Sequence, residues 1–215
     1  MNSLQFSFSH PTSIVIAGPS RSGKTCFVIN SLKHSLIQPF PSRIIWFYKE
    51  WQKGYDIVKE FLPKSEFVHG IDNEILDGIS VSEGNLVVID DLMTSAGDSK
   101  EISKLFTQEA HHRNLTVIFI VQNLFYQGRE MRTISLNAHY LVLYKNPRDK
   151  SQIRYLAHQI FPDNSKFLVN VYNHATEEPH SYLLIDLHPE TPEQFRVVTN
   201  IFPGEQIRFY LPTCI

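Results

Sequence analysis

The sequence predicts an α/β domain with a mostly parallel central sheet flanked by helices, on three observations. Short apolar runs without alternation, such as Asn85–Asp90 (NLVVID), are typical of strands buried on both faces of a sheet. Amphipathic segments with apolar residues at helical spacing separate these runs. The first buried run, Ser13–Ala17 (SIVIA), leads directly into a glycine-bearing turn and then a helical pattern. We therefore predict alternating strands and helices along a chain of 215 residues.

Local signals place the elements in order along the chain. The first helix follows Gly23 and ends before Pro39 and Pro41, because proline cannot continue a helix. Asp72 is a predicted N-cap, since its carboxylate can accept hydrogen bonds from the free N–H groups of a first turn. Strands are predicted at residues 43–48, 85–90, 116–121 and 139–144, with a small C-terminal strand pair at 182–186 and 195–198.

Helical patterns fill most of the spaces between these strands. The predicted helices cover residues 55–62 and 72–79, a segment capped by Ser99, and a segment that begins at Asn146 and Pro147. We place all of these elements in a single domain, with a core of about residues 10–162 and a C-terminal extension of about residues 163–215.

The composition limits the classes of protein that fit. The net charge is −2, whereas a protein that coats nucleic acid usually has a strong basic excess, so any contact with DNA is expected through a few local Lys or Arg residues. No apolar run approaches the roughly 18 residues of a membrane span, and the N-terminus lacks a secretory pattern. With only Cys26 and Cys214, a disulfide framework is not expected and a reducing, intracellular setting is. We expect Cys26 to be a buried thiol.

A phosphate-binding loop is predicted at residues 18–25, where GPSRSGKT fits the pattern G-x-x-x-x-G-K-[ST] between a strand and a helix. The two glycines allow the backbone N–H groups to point at phosphates, and the helix start adds its positive dipole end. Lys24 is expected to reach the β- and γ-phosphates of ATP, and the Thr25 hydroxyl to bind Mg²⁺. The predicted nucleotide-binding residues are Gly18, Pro19, Ser20, Arg21, Ser22, Gly23, Lys24, Thr25 and Cys26. Two alternatives stay open: a glycine turn before an ordinary helix, and a merely solvated Arg21.

Polar side chains follow two other buried strands. Asp90 and Asp91 end the run NLVVID-D, and Gln122 follows TVIFIV. Because the carboxyl ends of parallel strands meet the ligand, Asp90 is the predicted carboxylate of the Mg²⁺ site and Asp91 the group that polarises water. Gln122 is predicted to sense the γ-phosphate. Alternatively, Asp91 caps a helix or is solvated, and Gln122 caps its strand.

Four segments resemble the FtsK–HerA superfamily of P-loop ATPases, and more narrowly the genome-packaging ATPases of poxvirus-like large DNA viruses, virophages, Polinton/Maverick transposons and adintoviruses. They are the strand–GPSRSGKT–helix start, VVIDDL at 87–92, HHRNLTVIFIVQN at 111–123 and GREMRTISLNAHYLVLYKNPRDKSQ at 128–152. The likeness covers roughly residues 10–200. Lys24 and Thr25 match the Walker A motif of that family, Asp90 and Asp91 its Walker B pair, and Gln122 its sensor.

The resemblance implies a RecA-like core of the ASCE type that forms a homo-oligomeric ring, pentameric or hexameric, and moves double-stranded DNA into a capsid. The implied partners are the DNA and a capsid or portal vertex protein, inside the host cell and transiently at the virion. Such motors also use an arginine from the neighbouring subunit. The candidates here are Arg113, Arg129, Arg132 and Arg148, of which Arg132 and Arg113 are favoured. The histidines at 111 and 112 leave the register of Arg113 open.

Three functional hypotheses follow from these residues. The first is an ATP-hydrolysing DNA translocase, with Lys145, Arg148 and Lys150 as a local basic cluster that either meets phosphates or is solvated. The second is a small-molecule or nucleoside kinase with the same loop, although no arginine-rich lid or acceptor-base motif is evident. The third is a nucleotide switch or scaffold that does not hydrolyse ATP.

Overall fold

The computed structural model describes residues 6–92, 100–106, 113–124 and 129–212. The strands in these parts are β1 Phe8–Ser9, β2 Ser13–Ala17, β3 Ile37–Gln38, β4 Arg43–Tyr48, β5 Glu66–His69, β6 Asn85–Asp90, β7 Leu115–Val121, β8 Tyr140–Tyr144, β9 Tyr182–Asp186, β10 Val197–Thr199 and β11 Arg208–Phe209. The helices are α1 Lys24–Lys33, α2 Lys53–Phe61, α3 Asn73–Asp77, α4 Lys100–Lys104, α5 Arg129–Asn137, α6 Ser151–Ile160 and α7 Ser165–Ala175. Short 3₁₀ turns lie at Pro162–Asn164 and Glu193–Phe195.

Within the described parts, nine strands form one sheet in the order β11-β10-β9-β8-β2-β7-β6-β4-β5. The strands from β8 to β5 in this order run parallel, and β9, β10 and β11 continue the sheet antiparallel. Ala17 at the end of β2 is in register with Val121 of β7 and with Leu143 of β8. The carboxyl ends of the three central strands therefore meet at one edge, where the loop after β2 begins.

Helices cover both faces of this sheet, which explains why its strands are apolar without alternation. One face of β2 contributes Ile14 and Ile16 to a core that also contains Phe27 and Leu32 of α1. The other face contributes Val15 to a core shared with helices α3 to α7. All five residues of β2 are buried. This two-sided packing holds the end of β2 in a fixed position.

The α/β class with a mostly parallel sheet is confirmed, and several of its details differ from the sequence-based expectation. The helix expected at Asn146 and Pro147 begins only at Ser151, because Asn146 Oδ1 and Asp149 Oδ1 accept from the backbone N–H two residues ahead and form turns instead. The expected C-terminal strand pair is three strands that extend the central sheet. Helices α5 and α7 and strands β1, β3 and β5 were not expected. The predicted cap Ser99 lies outside the described residues.

None of the helices that the structure describes is long and apolar enough to cross a membrane.

Candidate nucleotide-binding site

The loop after β2 folds back on itself and leads directly into α1. Gly23 precedes the helix with φ 108°, a left-handed conformation that side chains rarely adopt. Gly18 is needed for a different reason, because a Cβ atom there would lie 2.6 Å from Tyr144 Cβ and 2.9 Å from Ser22 Oγ. The Gly18 N–H also donates to the Val121 carbonyl at 3.2 Å. The loop is thus fixed to the ends of β7 and β8.

Lys24 is buried in this loop, with 8% of its surface exposed. Its ammonium donates to the carbonyls of Gly18 at 2.7 Å and Pro19 at 2.8 Å. Burial lowers the pKa of Lys24, while the negative charges of Asp90 and Asp91 act in the opposite direction. A cation held by two loop carbonyls at the start of a helix is placed to meet an anionic ligand.

Asp90 is the last residue of β6 and is 2% exposed. Its Oδ2 accepts from the Thr25 hydroxyl at 3.0 Å, the Tyr55 hydroxyl at 2.8 Å and Gln52 Nε2 at 3.5 Å. Burial raises the pKa of Asp90, and the hydrogen bonds from Tyr55 and Thr25 lower it. The predicted pair of Thr25 and Asp90 is therefore brought into direct contact.

Asp91 turns away from this buried cluster. It is exposed and has φ 57°, so its side chain leaves the strand direction of Asp90. Asp91 Oδ1 accepts from Gln122 Nε2 at 2.9 Å, which joins the ends of β6 and β7. Asp91, predicted to polarise water, thus contacts Gln122, predicted to sense the γ-phosphate, at the same edge as the loop.

These groups line a cleft of about 540 Å³, which is large enough for a nucleoside triphosphate. Its phosphate end is formed by Ser20 to Thr25 with Asp90, Asp91 and Gln122. The buried Ser22 hydroxyl has no hydrogen-bond partner among the described residues. Thr25 and Asp90 supply the hard oxygen atoms that Mg²⁺ prefers as ligands. Groups of three or more His, Cys, Asp or Glu with metal-site spacing do not occur in the described parts of the chain. Because Mg²⁺ is usually held by one or two carboxylates plus substrate phosphates, the residues present fit Mg²⁺ with a triphosphate.

Several residues that line the cleft or contact its lining were not predicted from sequence. Tyr55 and Gln52 reach Asp90 from the start of α2, more than 30 positions earlier in the chain. Tyr144 donates from its hydroxyl to the Gly23 carbonyl at 3.3 Å. His180, with φ 64°, places Nδ1 at 3.2 Å from the Ser22 carbonyl. The sequence predicts the strand that ends at Tyr144, but no local signal links Tyr144 or the other side chains to the loop.

Cys26 is exposed, so the expectation of a buried thiol was wrong. The residue lies in the first turn of α1, on the side that faces the cleft, while the core side of the helix carries Val28 and Leu32. Arg21 is also exposed and lines the cleft, in a left-handed conformation with φ 64°.

The favoured arginines do not line the cleft of their own chain. Arg113 precedes β7, so it lies at the opposite end of that strand from Gln122, and its guanidinium donates to the Leu76 carbonyl at 2.9 Å. Arg132 is exposed on α5, whose Met131 and Ile134 face the core. Arg148 is exposed in the loop after β8, and the side chain of Arg129 lies outside the described residues.

Three features of this site define the P-loop nucleoside triphosphatase fold. They are a buried strand, a glycine-bent loop with an inward lysine, and a neighbouring strand that ends in a buried aspartate. Comparison with solved structures agrees. The genome-packaging NTPase B204 of Sulfolobus turreted icosahedral virus 2, in complex with ATP-gammaS, matches with a TM-score of 0.56 and 13% identity, over 95% of this chain and 98% of that chain. The DNA-packaging ATPase B204 of Sulfolobus turreted icosahedral virus matches with a TM-score of 0.58 and 12% identity, over 96% and 100%.

A second group of ATPases shares the fold. The cytoplasmic domain of the Type VII secretion ATPase EccC of Thermomonospora curvata matches with a TM-score of 0.54 and 11% identity, over 93% of this chain and 25% of that chain. No family model matches the chain, and a comparison with curated proteins finds no match. The likeness to packaging ATPases is thus confirmed at the level of the fold.

Proposed function

We propose that this protein is an ATP-hydrolysing motor that moves double-stranded DNA during genome packaging. The observation that carries the proposal is the arrangement at one sheet edge: Lys24 in the loop, Thr25 bonded to buried Asp90, and exposed Asp91 bonded to Gln122. The packaging role is supported by the fold shared with two proteins described as packaging enzymes. Under this proposal the protein assembles into a ring with the DNA in its channel.

The site residues divide the chemical work. The loop N–H groups and Lys24 bind the β- and γ-phosphates, and Thr25 with Asp90 would hold Mg²⁺. When bound there, Mg²⁺ would neutralise part of the charge that develops on the phosphates. Asp91 and Gln122, which contact each other at 2.9 Å, orient a water molecule for attack, and Asp91 polarises it. Asp90 is buried, so three side-chain donors hold its carboxylate in place and bulk water does not.

Contact with DNA is proposed for the exposed basic cluster Lys145, Arg148 and Lys150. This cluster follows β8, whose end is in register with the end of β2, so it lies near the nucleotide edge. Because this basic loop lies beside the triphosphate site, a shift of the loop on hydrolysis would act directly on the DNA backbone. Because such contacts release counterions, stimulation by DNA should fall as salt is raised.

The test is phosphate release from Mg-ATP with and without linear double-stranded DNA. We expect DNA to raise the rate, and Lys24→Ala to lower it by about 10²–10³-fold, since one charge-stabilising donor is lost at the phosphates. Lys33→Ala is the matched control, because Lys33 is exposed in the last turn of the same helix and does not line the cleft. Transfer of phosphate to a nucleoside acceptor, without release to water, would support the kinase hypothesis instead.

A further inference from the structure

The cleft continues well beyond the phosphate end. Along α1 it is lined by Cys26 and Asn30, which are four positions apart and therefore share one helix face. Asn30 is six residues beyond Lys24, or about 9 Å along the helix axis. The C-terminal part of the chain also lines this region of the cleft, with Tyr182, Phe202 and Glu205. These residues all lie outside the phosphate-binding loop of residues 18–25.

A fixed turn presents Phe202 and Glu205 to the cleft. The Glu205 N–H donates to the Phe202 carbonyl at 3.0 Å, with Pro203 and Gly204 between them and φ 90° at Gly204. Proline followed by a glycine of positive φ is the signature of a type II turn. The Glu205 carboxylate accepts from the Phe202 N–H at 3.3 Å, and the Ile201 N–H donates to the Tyr182 hydroxyl at 3.0 Å. The turn is thereby held to β9 before any ligand binds.

The aromatic side chains at this end form one cluster. The Phe202 ring lies 5.2 Å from the Phe27 ring and 6.1 Å from the Tyr182 ring, both in edge arrangements. All three residues line the cleft, where Phe27 and Tyr182 are buried and Phe202 is half-buried. Phe202 is held by these aromatic contacts and is partly exposed to the cleft, so its ring offers a surface on which a planar ligand can stack.

The charges at the two ends of the cleft determine the orientation of a bound nucleotide. The phosphate end carries Lys24 and the start of α1, both favourable to anions. The other end carries the Glu205 carboxylate and the Asn30 amide, which disfavour phosphate but suit the hydroxyl and amino donors of a nucleoside. Both ends open into the same cleft.

We propose that the aromatic end, formed by the Phe202–Glu205 turn together with Phe27 and Asn30 of α1, binds the nucleoside half of the triphosphate, with a purine base against Phe202. This inference rests on the proposed triphosphate site. It gives the C-terminal segment a direct part in nucleotide binding. Stacking on a ring tolerates any base, so we expect ATP and GTP to bind with similar affinity.

The experiment compares ATPγS with inorganic tripolyphosphate, each with Mg²⁺, by calorimetric titration of the full chain. The wild-type protein should bind ATPγS more tightly than tripolyphosphate, because only the nucleotide reaches the aromatic end. Phe202→Ala should weaken ATPγS about tenfold, the size of one base–aromatic stack, and leave tripolyphosphate unchanged. Phe202→Leu keeps an apolar side chain of similar size and should show most of the same loss.

Phe195→Ala is the matched control, because Phe195 is an exposed C-terminal phenylalanine that contacts Phe209 and lies outside the cleft. It should bind both ligands as the wild type does. Unchanged tripolyphosphate binding in the Phe202 variants also reports that the loop is folded. Equal affinity of the wild type for ATPγS and tripolyphosphate, or unaltered ATPγS binding in Phe202→Ala, would overturn the proposal. A protein that binds neither ligand would instead refute the triphosphate site itself.

Discussion

Asp90 shows how a single buried carboxylate organises the site. Its Oδ2 receives three side-chain donors from different parts of the chain, Thr25 from the loop, and Tyr55 and Gln52 from the start of α2. Burial is the largest effect and raises the pKa of Asp90, whereas the hydrogen bonds from Tyr55 and Thr25 favour the ionised form that a metal site needs. Tyr55 is itself fully buried, so its hydroxyl cannot turn to solvent for another partner. We therefore regard Tyr55 as a residue that positions Asp90.

Tyr55→Phe removes one donor to the carboxylate and leaves the ring in place. We expect the free energy of unfolding to fall by about 1–2 kcal/mol, because a hydrogen bond to a charged group is lost in the interior. The Mg²⁺ concentration for half-maximal hydrolysis should rise several-fold, while nucleotide binding without Mg²⁺ stays unchanged. Urea unfolding and Mg²⁺ titrations measure these effects.

Tyr210→Phe serves as the control for this prediction. Its hydroxyl also makes one side-chain hydrogen bond, with His174 at 2.8 Å, at a site away from the cleft. The control should leave the Mg²⁺ dependence unaltered. If the two variants show the same Mg²⁺ dependence, Tyr55 has only a structural role.

At the scale of elements, α6 holds the segment that follows the sensor strand β7. Gln152 Oε1 accepts from the Leu124 N–H at 3.3 Å, and Gln152 Nε2 donates to Asp149 Oδ2 at 2.8 Å. Gln122 is only two positions before Leu124. The first turn of α6 thus connects the loop after β8, where the basic cluster lies, with the chain that carries Gln122.

Gln152→Ala should loosen this connection without disturbing the nucleotide cleft. We expect kcat to fall about fivefold, the equivalent of one net hydrogen bond of about 1 kcal/mol, and KM for ATP to stay the same. Steady-state kinetics with and without DNA measure the split. Gln159→Ala is the control on the same helix, since Gln159 is exposed near its end. A change in KM alone would contradict a role in positioning Gln122.

The elements also show what sequence could predict. The strand–loop–helix unit from β2 to α1 was predicted because its signals are local: a buried run, two glycines, and a lysine followed by a threonine. The register of β2 with β7 and β8 then brings Gln122 to the loop, as parallel strand ends imply. Helix α7 was missed although Leu168, Val171, Tyr172 and Ala175 have the spacing of one buried face.

Contacts between distant segments could not be predicted in this way. Tyr55 gave no signal, because its partner Asp90 is 35 positions away and the contact depends on how α2 packs on the sheet. The start of α6 was misplaced since Asn146 and Asp149 bind their own following N–H groups, a local competition between turn and helix. Cys26 was misjudged because burial on α1 depends on which helix face the sheet covers.

On the scale of the whole molecule, neither favoured arginine lines the cleft of its own chain. Arg113 lies beyond the far end of β7, a strand of seven residues, which at about 3.3 Å per residue spans roughly 20 Å. Arg132 is exposed on α5. If Arg132 acts in catalysis, the Arg132 of a neighbouring subunit would have to meet the cleft of this one. The proposed ring provides such a neighbour, and mixing experiments test this arrangement.

Mixing two inactive variants tests whether Arg132 acts between subunits. Lys24→Ala lacks the lysine of its own site, and Arg132→Ala would lack the group offered to its neighbour. Each alone should be nearly inactive, because an arginine supplied in trans contributes about 10³–10⁵-fold to turnover. In an equal mixture, about a quarter of the interfaces in a ring with head-to-tail contacts would join an intact Lys24 to an intact Arg132. Phosphate release should then recover to a corresponding fraction of the wild-type rate. Mixing Lys24→Ala with Arg148→Ala distinguishes the two exposed arginines, and an absence of recovery at every mixing ratio would exclude Arg132 as the trans-acting residue.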